Sequence, residues 1–258
     1  MNLLRDHAAR GPAITVQALA KTFGEVEAVR GISFEIARGS ITGLLGGNGA
    51  GKTTTIAMIL GLIKPSSGAI RVLGVDMLRD KYQVLHRLNF ESPYFDMPMR
   101  LSVRENLTVY ALLYGVRRID ERIAQLAGEL DLTDLLERRV GQLSAGQKTR
   151  VGLAKAMINE PQVLFLDEPT ASLDPDTADW VRARLERLRD ETGTTIMLAS
   201  HNMAEVERLC DRVLLMKDGG IVDDGAPQAL IARFGRQTME EVFLDIVRGR
   251  DAGTQALQ

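Results

Sequence analysis

The 258-residue chain has a single cysteine, Cys210. One thiol excludes an intrachain disulfide framework and makes a reducing compartment the default. Set in Val206-Glu207-Arg208-Leu209-Cys210, it reads as a small buried hydrophobe rather than a reactive group. A basic excess is missing too: 32 Lys and Arg stand against 34 Asp and Glu, a net charge of −2, so no nucleic-acid partner is expected. No apolar run reaches the ~18–20 residues that span a bilayer. The first ten residues, MNLLRDHAAR, lack an apolar signal core. The chain therefore reads as soluble, attached to a membrane only through a partner. It also has no internal repeat and no low-complexity segment. What is present, 45% hydrophobic and 26% charged residues, is globular in balance. The length suits a sizeable core, or a core with a small inserted lobe.

Residues 1–11 read as a polar tail ending before Pro12. Alternation predicts strands over Ile14–Leu19 and Gly31–Ile36. Ile41–Leu45 reads as a strand running into a glycine-rich loop, with a helix after it through Ile56–Leu60. Lys64–Gly68 is a turn cluster, and Ala69–Leu73 resumes a strand. Residues 101–160 carry Leu, Arg, Glu and Ala at helical spacing and read as an inserted helical lobe. Val163–Leu166 is the short apolar run of a buried parallel strand. A helix over 175–191, strands at Thr195–Ala199 and Val213–Met216, and a helical, peripheral last thirty residues complete the pattern. Strand–helix alternation of this kind predicts an α/β fold.

Gly46-Gly47-Asn48-Gly49-Ala50-Gly51-Lys52-Thr53 fits G-x-x-x-x-G-K-[ST] between a predicted strand and a predicted helix. Glycines let successive N–H groups point at one anion, and the helix N-terminus adds partial positive charge. Lys52 is placed to reach the β- and γ-phosphates, and the Thr53 hydroxyl to ligate Mg²⁺. Val163–Leu166 then ends in Asp167-Glu168. A carboxylate at a buried strand end can hold Mg²⁺ beside phosphates, which suits Asp167, and Glu168 can polarise the attacking water.

Leu143-Ser144-Ala145-Gly146-Gln147 completes the set. With these motifs in this order, residues 13–235 resemble the nucleotide-binding subunit of an ATP-binding cassette (ABC) transporter, and Leu143–Gln147 resembles that family's signature motif. The resemblance implies a P-loop NTPase fold: a mixed β-sheet core, an N-terminal antiparallel β subdomain and an inserted α-helical subdomain. The tail 1–11, the ATPase domain 12–235 with its helical insertion at about 92–160, and a helical extension 236–258 would follow one another.

The family's chemistry implies ATP and Mg²⁺ as cofactors. Gly46, Asn48, Gly49, Ala50, Gly51, Lys52, Thr53 and Thr54 would hold the phosphates. Two cassettes would pack head to tail, in a homodimer, and ATP would be sandwiched between them. Ser144, Gly146 and Gln147 of one would contact the nucleotide of the other. Taken alone, Leu-Ser-Ala-Gly-Gln is also an ordinary helix cap, with Ser144 as the cap residue. His201 matches the switch histidine that holds the attacking water with Glu168, which makes Glu168, His201 and Lys52 the catalytic set. Phe23 matches an aromatic that stacks on adenine; the alternative is a core phenylalanine. Ala171-Ser172-Leu173-Asp174 resembles the loop after the catalytic Glu, and Asp174-Pro175 is equally a helix start.

Three departures from the family stand out. Ala145 and Gly47 replace a usual Gly and Pro. The Gln expected at the start of the helical lobe is absent from Leu88-Asn89-Phe90-Glu91-Ser92-Pro93-Tyr94; Glu91, as a metal ligand, or Ser92 stands in its place. Tyr94–Met99 lies where a coupling helix of the membrane subunit docks in such transporters, or is lobe core. Thr238–Leu244 resembles the C-terminal segment of export-type cassettes. The function implied is ATP hydrolysis driving transport, export in particular, through a multi-spanning permease at the inner membrane face. The alternatives are a non-transport cassette ATPase and a regulatory ATP-binding module.

Overall fold

The computed structural model describes residues 11–92, 97–171 and 173–249. The strands are β1 (Ile14–Phe23), β2 (Val26–Ile36), β3 (Ile41–Gly46), β4 (Ser67–Val72), β5 (Val75–Asp76), β6 (Leu88–Glu91), β7 (Val163–Asp167), β8 (Thr195–Ser200), β9 (Arg212–Lys217) and β10 (Gly220–Gly225). The helices are α1 (Lys52–Ile59), α2 (Val103–Leu113), α3 (Ile119–Glu129), α4 (Ala145–Met157), α5 (Pro175–Thr192), α6 (Met203–Leu209), α7 (Pro227–Phe234) and α8 (Met239–Val247). The fold is α/β, as expected, and the chain divides into two units. One comprises Met1–Val84 with Leu188–Gln258, the other Leu85–Arg187.

In the first unit an antiparallel sheet runs in the order β2-β1-β4-β5. Its alternation is what the sequence shows: Ile14, Val16 and Leu19 of β1 are buried, against Ile32, Phe34 and Ile36 of β2. Both strands outrun the expected spans, and Ser67 and Gly68, expected in a turn, already belong to β4. The second sheet element is β3, every residue of which is buried. It pairs in parallel with β8 on one side and β9 on the other, so Leu44 lies between Ala199 and Leu214. Burial on both faces is why its sequence is a nearly unbroken apolar run.

β10 was not expected from the sequence. It carries only Ile221 and Val222 as large apolar residues, between glycines and aspartates that disfavour strands. Its signal is the turn: Asp218 (φ 48) and Gly219 (φ 79) give the doubly left-handed hairpin that Asp-Gly favours. At the C-terminus α7 and α8 are helices, as expected. α8 buries Met239, Val242 and Ile246, a stripe at the helical period.

In the second unit β6 and β7 pair in parallel, Phe90 beside Phe165 and Glu91 beside Leu166. β6 also escaped the sequence reading, because Leu-Asn-Phe-Glu is too short to declare a period. The helices α2, α3 and α4 match the expected helical texture. α2 and α4 each begin with a complete capping box, Ser102 with Glu105 and Ser144 with Gln147. Arg122 of α3 donates to the carbonyls of Met157 (2.6 Å) and Ile158 (3.3 Å), closing the other end of α4. Burial lowers its pKa, the largest influence on it.

Candidate nucleotide-binding and hydrolysis site

The first unit holds the phosphate loop. Gly46 ends β3 and Lys52 opens α1, with Gly47, Asn48 and Gly49 exposed between them. Gly51 has φ 100, and a Cβ there would stand 2.5 Å from the Ala28 carbonyl oxygen. Only glycine fits, so the loop packs closely on β2 at this point. The first turn of α1 has no acidic residue and no side-chain cap. The helix dipole there thus favours an anion. Lys52 Nζ donates to the carbonyls of Gly46 (2.6 Å) and Gly47 (3.2 Å). The ammonium therefore already lies over the loop. Thr53 is exposed and Thr54 half-buried in the same turn. A Cβ at Gly47 would meet nothing, so the departure from Pro there is sterically neutral.

His201 follows β8 directly and is exposed. The residues around it are fixed: Ser200 Oγ donates to Glu205 Oε2 (2.7 Å), and Asn202 caps α6. Phe23 ends β1 with 48% of its surface exposed, which removes the core alternative. Lys21 Nζ lies 4.8 Å from its ring centroid, a cation–π contact on the surface. Cys210 is buried and its thiol is pushed up, chiefly by burial, as suits an inert structural cysteine.

The second unit holds the acids and the signature segment. Val163, Leu164, Phe165 and Leu166 are fully buried; Asp167 and Glu168 emerge from them half-buried. Glu168 has φ 52, a left-handed conformation that costs a non-glycine residue about 1–3 kcal/mol. Asp174 caps α5, accepting from Thr177 N (3.0 Å) and Thr177 Oγ1 (2.7 Å). The backbone bond first, then the hydroxyl, holds its carboxyl below the usual range.

Ser144 is the N-cap of α4: its Oγ accepts from Gln147 N (3.3 Å), and Gln147 Oε1 accepts from Ser144 N (3.0 Å). The helix-cap alternative is thus realised. It does not exclude an anion contact, since a hydroxyl that accepts still has its proton to donate. A cavity of about 250 Å³ lies at this cap, lined by Ser144, Gly146, Gln147, Arg150, Asp131 and Thr177 among others. Arg150 pairs with Asp131 (3.0 Å) and lies 4.5 Å from the Trp180 ring centroid. No local motif in the sequence marks Arg150, Asp131, Thr177 or Trp180. Ala145 is exposed, so its methyl group meets no steric obstacle within its own unit.

Glu91 ends β6, and its carboxylate lies 2.5 Å from Lys155 Nζ on α4. Burial raises its pKa more strongly than Lys155 lowers it. Ser92 is buried as well. Of the stretch Tyr94–Met99, Tyr94, Phe95 and Asp96 lie outside the described residues, while Met97 is buried. Among the described residues, no cluster of three His, Cys, Asp or Glu could hold a metal by itself.

The family profile described as ABC transporter matches residues 29–171. The chain belongs to the ABC transporter family. The Nod factor export ATP-binding protein I of Rhizobium meliloti is 39% identical over 240 residues, covering 92% of this chain and 71% of the relative. A solved ATP-binding subunit of an ABC transporter superposes with a TM-score of 0.82 at 26% identity, covering 91% of this chain and 99% of that one. The cbiO1 protein of Clostridium perfringens, part of the cbiONQ transporter complex, gives 0.78 at 30% identity, covering 93% and 95%. This ABC protein is accordingly an ATP-binding and ATP-hydrolysing subunit, the motor of a transporter. The P-loop NTPase fold follows from the same likenesses.

Proposed function

We propose that this ABC ATPase drives export through a separate multi-spanning permease and works as a pair of identical cassettes. One observation carries the pairing: the chain has two helix N-termini suited to phosphate, Lys52 behind the glycine loop in one unit and Ser144 in the other. Each nucleotide would use the first of these from one copy and the second from its partner.

In that arrangement the backbone from Gly46 through Asn48, Gly49, Ala50 and Gly51 cradles the phosphates, with Lys52, Thr53 and Thr54 adding side-chain donors. Phe23 stacks on adenine. Ser144, the Gly146 N–H and Gln147 of the second copy reach the γ-phosphate. Glu168 accepts the proton of the attacking water, and His201 donates to the γ-phosphate. Phosphoryl transfer needs little beyond such positioning and charge stabilisation. The Thr53 hydroxyl and the Asp167 carboxylate are hard oxygen donors that fit Mg²⁺, which neutralises phosphate charge when bound.

Export is favoured by the 39% identity to a protein of Nod factor export. No helix among the described residues is long and apolar enough to cross a membrane. The membrane path is therefore assigned to a permease that holds this chain at the inner face. Mild-detergent purification of the tagged chain from its own membranes tests this. A multi-spanning protein recovered in near-equal amount is expected; soluble or ribosomal partners alone would overturn the transport assignment.

A further inference from the structure

We propose that Glu91 is a positioning residue rather than a metal ligand, and that its buried ion pair with Lys155 sets the signature helix α4 against the end of β6. The inference rests on the reading of Ser144 as a nucleotide contact, and names the joint that governs it.

Glu91 occupies a junction. In the sheet it lies beside Leu166, the residue before Asp167. Across the unit it reaches Lys155, at 2.5 Å. Lys155 is only 8% exposed, and its Nζ also lies 5.5 Å from the centroid of Tyr110 on α2. One side chain thus joins β6, α2 and α4. The fit around it is tight. Gly152, one turn before Lys155, faces the same carboxylate: a Cβ there would stand 2.6 Å from Glu91 Oε1. Glycine in the middle of a helix is destabilising relative to alanine, and here it leaves room for the carboxylate.

Ser144 lies at the far end of α4, about three turns from Lys155. A helix of this length moves as a rod, so the seating of Lys155 on Glu91 determines where the Ser144 cap stands. A metal ligand needs carboxylate oxygens turned to the ion; the Glu91 carboxylate is turned to Lys155 and Gly152. The carboxylate end of the hydrolysis machinery, through β7, and the signature cap, through α4, therefore share this one residue.

The test uses the purified full-length chain with Glu91→Gln, Lys155→Met, the double variant, Gly152→Ala, and Ser144→Ala as reference. Steady-state hydrolysis, binding of a fluorescent non-hydrolysable ATP analogue, half-saturating Mg²⁺ and melting temperature are measured. Glu91→Gln and Lys155→Met are each expected to lower kcat on the order of tenfold or more through misplacement. Analogue affinity and half-saturating Mg²⁺ should stay unchanged. The double variant should be no worse than either single one, since both remove the same contact. Gly152→Ala should reproduce the loss with Glu91 present and be silent in a Glu91→Ser background, where the clash is gone. The double variant, which removes both charges, serves as the folded comparison if an unpaired Lys155 unfolds the chain.

A rise in half-saturating Mg²⁺ for Glu91→Gln but not Lys155→Met would overturn the proposal in favour of metal ligation. Unchanged kcat in Glu91→Gln, Lys155→Met and Gly152→Ala, with only melting shifted, would reduce the pair to a structural contact. If Ser144→Ala abolishes turnover while these variants do not, the joint fails and the signature reading stands. If Ser144→Ala is itself as active as the native chain, the reading beneath the proposal fails.

Discussion

At the residue scale, positions in two of the candidate motifs have a left-handed backbone. Gly51 has φ 100 and Glu168 has φ 52. Lys52, which bridges two loop carbonyls, has the ammonium charge that a triphosphate needs. Lys52→Ala should lose ATP-analogue affinity, read by fluorescence titration; unchanged binding would contradict the phosphate-loop assignment. Glu168→Gln should keep that affinity and lose nearly all steady-state turnover. Its amide cannot accept the water proton, and native rates would remove Glu168 from the base role.

The element scale separates two roles of Ser144 that the sequence superimposes. As the N-cap of α4 it stabilises a helix; as a proposed phosphate contact it must also present a donor. Ser144→Ala should cost about 1 kcal/mol of stability through the lost cap. Ser144→Asp caps as well as serine but brings a negative charge to the phosphate. It should retain its denaturation midpoint and lose hydrolysis, and equal hydrolysis would leave Ser144 only a cap.

The cap of α5 has a pH dependence. The folded state holds the Asp174 carboxyl below 3.8, first through the Thr177 backbone bond. A depressed carboxylate contributes stability that is present above its unfolded value and lost as pH falls through its folded one. The melting-temperature gap between the native chain and Asp174→Asn, which caps without charge, should therefore close as pH drops below 3.8. A gap that persists in acid would assign it to some other contact.

Over the whole molecule, the chain divides into two units, the first built from two separate stretches and the second from the stretch between them. Cys210 reports on the integrity of the first: it is buried, and a Cβ on Gly43 of β3 would already press its sulfur at 3.0 Å. A thiol reagent should label the native chain only as fast as it opens, and promptly in denaturant. Prompt native labelling would contradict that burial.

The loop 46–53, the acids after Val163–Leu166 and the cap at Ser144 were legible in the sequence because each is contiguous: turn, strand end and helix start are dictated by neighbouring residues. Most elements were legible too, through their apolar period. β6 and β10 were not, being short or poor in apolar residues and held by partner strands. Glu91 marks the limit. The sequence leaves it a stand-in for a missing Gln, with an oxygen to offer a metal. Only the meeting of β6 with α4, far apart in the chain, brings Lys155 against it and Gly152 beneath it. Likewise only the folded hairpin decides that Phe23 is exposed. Local motifs specify what chemistry the chain can do; which side chains neutralise one another is decided by tertiary contact, because charge and burial depend on neighbours in space.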